Sequence, residues 1–412
     1  MNSRSYADAK FKRKDQITNL QSLYSVVKVN NETIDINPLT LFLRLISLVE
    51  RLPEYEISSY FEYEMTPYPM SLFKDGSLRI STKSKLRAHL LSDITPCERN
   101  EQLQTFTVMD GGALLWLCDW KKGEKFSKIF SKYEKICNGL GVNAIVFDGY
   151  DQESTKDSTR SNRSKTSSAT VDIVSDSCCL SDRSTFLANY SNRSSFVEKL
   201  RQRLFENGLT VHQAPSDADT TIVKTALRAE EMNPSIRRLV VLAEDTDILC
   251  LPIHHFKEPP QNFEILLQNV RLGSDDTKTT RAMKKRLQYS LTDLLAVIDN
   301  VTKEFIRFGH AFTGCDCTSA IYNFRKALIF EKLAKSQPLR ALARVFYDEG
   351  ASVQSIGEAT IQIFTLIFSS STTAESIAQI RRRKYEEMVS STRKNIDPSC
   401  MPPTPRAAFF HG

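Results

Sequence analysis

The sequence predicts an α/β protein: a mostly parallel sheet with helices on both faces, and helical segments before and after it. Three observations predict it. From about residue 101, short aliphatic runs alternate with longer amphipathic ones, the rhythm of successive βαβ units. The short runs, such as "RRLVVLAED", are almost unbroken in apolar character, which suits strands covered on both faces. The long runs close on glycine, at "CNGLG" and "FENG", the residue that ends helices most readily.

Taken in order, residues 1–100 read as a mostly helical region. In "INPLTLFLRLISLVERL", Asn37 is placed to cap and Pro38 falls at the first helical position. Leu41, Phe42, Leu45, Leu48, Val49 and Leu52 then recur on one face. "YEMTPYPMSLFKD" (63–75) reads as an ordered loop, and the region shows no evident chemistry. The α/β domain spans 101–330. "TFTVMD" (105–110) is a strand, "GALLWLCDWKKGEKFSKIFSKYEKICNGLG" one long helix, and "NAIVFDG" (143–149) a second strand. "FVEKLRQRLFENG" is a helix, "LTVHQA" a short strand, "DADTTIVKTALRAEEM" a helix, and "RRLVVLAED" another strand. The interruption at 150–194 is a mobile insertion with some helix at its far end, because ten of the residues from 151 to 170 are Ser or Thr. Such a composition buries too little apolar surface to offset the entropy of ordering, and the expectation of poor order covers 151–183. The remainder, 331–412, is helical again, with "VQSIGEATIQIFTLIFSS" and "TTAESIAQIRRRKYEEMVSS" as its clearest segments.

The bulk numbers are those of an ordinary folded chain. At 412 residues there is room for one large domain with additions or for several ordinary ones. A hydrophobic content of 41% and a charged content of 25% fit a soluble globular protein. A net charge of +6 is compatible with a nucleic-acid partner without requiring one. The nine cysteines form no C-x-x-C pair, which argues against structural zinc and for reduced thiols inside the cell. The stretch "MNSRSYADAKFKRKDQ" has no apolar h-region, so no secretory signal is expected in it. The most apolar windows are too short or too interrupted by charge to cross a bilayer, so no membrane partner is expected. "KFKRK" (10–14) and "RRRK" (381–384) are short basic clusters of the kind that serve as nuclear signals or simply as solvated helix ends.

The chemistry gathers at the strand ends. The stretch "RRLVVLAEDTDILCLPIHHF" delivers Asp245 and Asp247 from a hydrophobic run. Other strands end at Asp110 and Asp148, and "PSDAD" places Asp217 and Asp219 at the opening of a helix. Asp316 follows in "FGHAFTGCDCTSA". A single Asp after a strand is ordinarily a helix cap. Several at one set of strand ends share the crevice where open parallel sheets bind ligands. Carboxylates so crowded repel one another unless cations neutralise them, and hard oxygen donors select Mg²⁺ or Mn²⁺. Two such ions, ~3.5–4 Å apart, clamp the attacking and leaving oxygens of a phosphodiester.

In order, "FTVMDGGALL", "AIVFDG", "APSDADTTIVKTAL", "LAEDTDIL" and "GHAFTGCDCTSA" resemble the successive motifs of the flap-endonuclease/XPG-type nucleases, members of the PIN-like fold. The resemblance covers roughly 105–330. It implies that Asp110, Asp148, Asp217, Asp219, Asp245, Asp247 and Asp316 match the family's metal-binding acids. The chain is also similar to uncharacterised animal open reading frames, some linked to mobile elements, that carry "HAFTGCD" after "EDTD". Three departures stand out. The family usually has Glu where this chain has Asp217 and Asp219. Its glycine-rich phosphate grip after the last Asp is replaced by "SAIYNFRKALIFEKL", where Arg325 and Lys326 substitute in part. Its N-terminal active-site residue has no counterpart, since about a hundred unrelated residues precede Asp110. The stop after "MPPTPRAAFFHG" reads as that of a truncated frame.

A phosphate-tracking surface is expected at "KTTRAMKKRLQ" (278–288), whose Lys278, Arg281, Lys284, Lys285 and Arg286 have no acid among them; a solvated loop is the competing reading. His254, His255 and His310 invite a catalytic reading, against which His255, after a buried run, and His310, just before the Asp316 loop, read as packed or capping histidines; Cys315 and Cys317 lack a nearby base to act as nucleophiles. The expected activity is metal-dependent hydrolysis of DNA or RNA by a nuclear enzyme, with the 150–194 segment where the family places its arch. The alternatives are a catalytically weak or inactive nucleic-acid-binding or scaffold protein on the same fold, or a mobile-element accessory protein. Oligomeric state is not legible in the sequence.

Overall fold

The computed structural model describes residues 56–97, 103–149, 169–174, 177–256, 263–270, 287–369, 375–390 and 397–412, the backbone of 25–29 and 32–36, and a few single positions between 40 and 51 and at 258. The chain packs as two compact units. One is formed by Thr82–His310, the other by Met1–Ser81 together with Ala311–Gly412. These cuts differ from the sequence boundaries near 100 and 330.

The Thr82–His310 unit is built on a six-stranded sheet of β1 (Thr105–Asp110), β2 (Ala144–Phe147), β3 (Thr210–Gln213), β4 (Arg238–Leu242), β5 (Glu264–Gln268) and β6 (Gln288–Ser290). The spatial order is β6-β5-β4-β1-β2-β3. All neighbours are parallel except β6, which runs antiparallel along β5. In register, Val240 of β4 lies between Thr107 of β1 and Leu266 of β5, and Ala144 of β2 between Val108 and Thr210. Every residue of β2 and β4 is buried, so successive side chains point into apolar layers on both faces. One layer joins Met109, Ile145, Phe147, Val240 and Leu242 to Phe126, Tyr133, Phe196 and Leu200.

The helices of this unit are α1 (Lys83–Leu90), α2 (Gly111–Leu117), α3 (Phe126–Leu140), α4 (Arg183–Ala188), α5 (Tyr190–Glu206), α6 (Ala218–Met232), α7 (Thr246–His255), α8 (Leu291–Val297) and α9 (Asn300–Phe312). The fold class is the expected α/β one, with two local differences. The single long helix expected after β1 is two. Cys118 turns extended at the end of α2, Trp120 buries with its Nε1 donating to Tyr133 Oη at 3.0 Å, and Glu124–Lys125 pairs with Cys178–Cys179 before α3 begins. The second concerns the insertion. Residues 151–168 lie outside the described residues, but its far end is packed: Ile173 and Cys179 are buried, and Val171 donates its N–H to Asn192 Oδ1 at 2.8 Å.

In the other unit, α10 (Lys326–Lys335), α11 (Gln337–Arg344), α12 (Val353–Phe368), α13 (Ile377–Ser390) and α14 (Pro405–Phe409) supply the helices expected after 331. The N-terminal part is less helical than its sequence reading. Ser25–Val29 pairs antiparallel with Glu32–Ile36, as their β-branched residues favour, and Phe73–Lys74 pairs with Ser77–Leu78. Asp75 and Gly76 between the latter both have positive φ, 51° and 75°, the two-residue hairpin turn that Asp-Gly prefers. The helix expected over 37–52 lies mostly outside the described residues; the positions described there are helical.

The "RRRK" cluster is part of this unit's structure. Arg381 is 1% exposed and donates to the carbonyls of Phe61 (2.9 Å), Tyr63 (3.3 Å) and Pro402. Arg382, Arg383 and Lys384 pair with Glu386, Glu375, and Glu387. No helix among the described residues is long and apolar enough to cross a membrane.

Candidate metal centre

The chain reverses its direction of strand addition between β1 and β4: β2 and β3 are laid down on one side of β1, β4 and β5 on the other. In sheets with such a reversal, ligands bind beyond the carboxyl ends of the flanking strands, here β1 and β4. Asp110 ends β1, and Asp245 follows β4.

Each acid is placed by its backbone. Asp245 is the N-cap of α7 and accepts the N–H of Asp247 at 3.2 Å; Asp247, two residues on, is in the first turn. Asp110 caps α2 in the same way, accepting from Gly112 N at 2.8 Å. Asp217 takes the N-cap position of α6, with Asp219 in the first turn. Asp148 Oδ1 accepts from Ala218 N at 3.2 Å, which ties the end of β2 to the start of α6. A glycine makes that junction possible. Gly149 N donates to Ser216 O at 2.6 Å, and a Cβ at Gly149 would lie 2.3 Å from Pro215 O. Capping and ligation thus use the same residues, because a helix N-terminus attracts the negative charge a cation also needs.

Among the described residues, Asp219, Asp245 and Asp247 bring one carboxylate oxygen each within 4.8 Å of one another, all three half-buried. These are hard donors at a spacing suited to a divalent cation. Asp110 is beside them electrostatically: burial, then Asp148, and more weakly Asp245, push its carboxyl up to about 7. A cation in the crevice relieves that repulsion. Asp148 and Asp217 stand at the same end of the sheet through the Ala218 contact and the α6 N-cap. Asp316 belongs to the other unit, in a turn where Cys315 N donates to Thr318 Oγ1 at 2.9 Å and Ser81 Oγ to Gly314 O at 2.7 Å.

Three basic groups face the acids: Lys83 and Arg87, which the sequence reading passed over, and His310, which it read as packed or capping. Lys83 Nζ lies 2.8 Å from Asp247 Oδ2, and His310 Nε2 lies 2.5 Å from Asp247 Oδ1. Arg87, one turn beyond Lys83 on α1, donates to Asn269 Oδ1 at 2.8 Å and reaches the Asp245 carbonyl at 3.5 Å. Burial raises the Asp247 carboxyl, but the hydrogen bonds from His310 and Lys83 outweigh it and hold it well below the usual carboxylate range. His310 is 7% exposed, so it is packed, as the sequence suggests, but packed against a site acid. His255 is exposed rather than packed.

Of the expected nucleic-acid contacts, Lys278, Arg281, Lys284, Lys285 and Arg286 lie outside the described residues. Arg325 is exposed before α10. Lys326 is 6% exposed and donates to Thr313 Oγ1 at 3.3 Å; it is an interior group, not part of a phosphate-tracking surface.

No family model matches the sequence, and no curated protein matches it. Among solved structures, the chain is similar to the catalytic core of Rad2 in complex with DNA substrate. In one such complex the TM-score is 0.35 at 11% identity, over 59% of this chain and 64% of that one. In a second the TM-score is 0.40 at 10% identity, over 74% and 79%. The chain therefore spans less than two thirds of the first of these, and the functional reading rests on the crevice itself.

Proposed function

We propose that this protein is a divalent-metal-dependent nuclease that hydrolyses phosphodiester bonds of DNA or RNA, acting in the nucleus. One observation carries the reading: Asp219, Asp245 and Asp247 offer three carboxylate oxygens within 4.8 Å of one another, at the strand-order reversal of a parallel sheet. Asp110, Asp148 and Asp217 complete the acidic crevice, and Asp316 is the seventh acid of the reading. Bound there, Mg²⁺ or Mn²⁺ would lower the pKa of a water and polarise the phosphoryl group. The chain's own groups hold the arrangement. The N-cap bonds fix Asp110 and Asp245, His310 and Lys83 keep Asp247 ionised, and Arg87 anchors α1 beside α7.

An acidic cluster of this kind would fill with a pair of ions, unless Lys83, seated on Asp247, takes the place of one. A second reading is a nucleic-acid-binding or scaffold protein with silent chemistry, including a mobile-element accessory role. The observation in its favour is the Lys83 ammonium seated on Asp247. A cleavage assay with Mg²⁺ or Mn²⁺ on flap, single-stranded and duplex DNA and RNA separates the two. Cleavage abolished by chelation supports the nuclease, and binding without cleavage in either metal supports the alternative.

A further inference from the structure

We propose that Lys83 is a resident cation of the acidic cluster: its ammonium stands where a second divalent ion would otherwise bind, so the centre takes one ion per chain. The proposal rests on the metal-centre reading above and deepens it.

An ionised carboxylate has about four lone-pair sites. On Asp247, Lys83 Nζ takes one at Oδ2, 2.8 Å away, and His310 Nε2 takes one at Oδ1, 2.5 Å away. What remains is enough to join Asp219 and Asp245 around one ion. A second ion ~3.5–4 Å from the first that shared this carboxylate would meet the ammonium already seated on Oδ2.

Lys83 is not a passing surface lysine. Its side chain is 16% exposed and that of Asp247 21%, so the pair is largely withdrawn from water. The helix that carries it is anchored: Leu86 and Leu90 are buried, and Arg87 on the same face bonds Asn269 and reaches the Asp245 carbonyl. The sequence of α1, "KSKLRAHL", contains no acid, so the counter-charge for Lys83 comes from the crevice and not from its own helix. A positive charge held by a packed helix repels a second dication. It also offsets part of the repulsion at Asp247 that a second ion would otherwise offset.

Mn²⁺ titrated into the full-length chain, followed by calorimetry and by loss of the free-ion paramagnetic resonance signal, counts the ions. The expected result is one Mn²⁺ per chain for the wild type and for Lys83→Arg, and two for Lys83→Gln, which removes the charge. Two ions in the wild type or in Lys83→Arg overturn the proposal and leave the metal centre standing. A folded Lys83→Gln that still binds one ion with unchanged affinity overturns it as well. Should Lys83→Gln fail to fold, the other two counts still decide. A wild type that binds no Mn²⁺ removes the metal centre itself, and the proposal with it.

Discussion

His310 and Asp247, 63 residues apart in sequence, meet with Nε2 and Oδ1 2.5 Å apart, on a carboxylate whose other oxygen is taken by Lys83. An ionised carboxylate only accepts hydrogen bonds, so the imidazole donates here. Asp247→Ala leaves Lys83 and His310 in a largely buried place without their acceptor. The expected cost is about 3–5 kcal/mol, that of removing one partner from a buried pair. Urea unfolding of the metal-free protein measures it. The double substitution Lys83→Met with Asp247→Leu is expected to recover part of the loss.

Asp110 gives the metal-free protein a pH dependence of definite sign. Burial and Asp148 raise its carboxyl from the ordinary 3.8 to about 7 in the fold. The stabilisation from this group is therefore complete below about 3.8 and is lost as pH rises through about 7. Asp247 acts in the opposite sense. Its carboxyl is depressed, so its stabilisation is present above 3.8 and is lost as pH falls below that. Unfolding midpoints measured across this range should fall toward neutral pH in the wild type, and this fall should be absent in Asp110→Asn.

Gly149→Ala tests the junction that brings β2 to α6. The added methyl would meet Pro215 O at 2.3 Å and Ala214 O at 2.6 Å, backbone atoms that move only if the loop moves. The expected destabilisation is about 1–3 kcal/mol, together with weaker Mn²⁺ binding as Asp148 and Asp219 separate. Unchanged stability and unchanged metal affinity would show that the close approach is dispensable.

Arg381 tests the interior of the Met1–Ser81 and Ala311–Gly412 unit. Its guanidinium serves three carbonyls at once and reaches Glu64 Oε2 at 3.4 Å. Arg381→Lys supplies a point charge but not the planar fork, and should lower the unfolding midpoint nearly as far as Arg381→Met. A fully stable Arg381→Lys contradicts this account.

The acids were legible in the sequence because their signal is local. Each follows a short apolar run, and the D-x-D spacing of Asp217/Asp219 and Asp245/Asp247 survives without tertiary knowledge. The basic partners were not. "KSKLRAHL" reads as a solvated helix, and only the packing of Leu86 and Leu90 turns Lys83 and Arg87 toward α7. His310 likewise looks like a core histidine until Asp247 is placed against it. The Asp75-Gly76 turn had a readable signal that two neighbouring prolines obscured. The break between α2 and α3 had a weaker one, since "DWKKGE" keeps helical polarity on either side of a buried Trp120. Arg381 was hidden in a basic run whose other members are ordinary surface ion pairs.

Asp245→Asn is the most direct test of the metal-dependent nuclease. Asn caps a helix as well as Asp does, so α7 and the fold should persist while a charge that a hard cation needs is removed. Cleavage of single-stranded, flap and duplex substrates in Mn²⁺ is the measurement, with nucleic-acid binding followed in parallel. The account predicts that cleavage falls by several orders of magnitude while binding is kept or slightly tightened, as one repulsive acid is lost. Cleavage that continues at the wild-type rate in folded Asp245→Asn would contradict it.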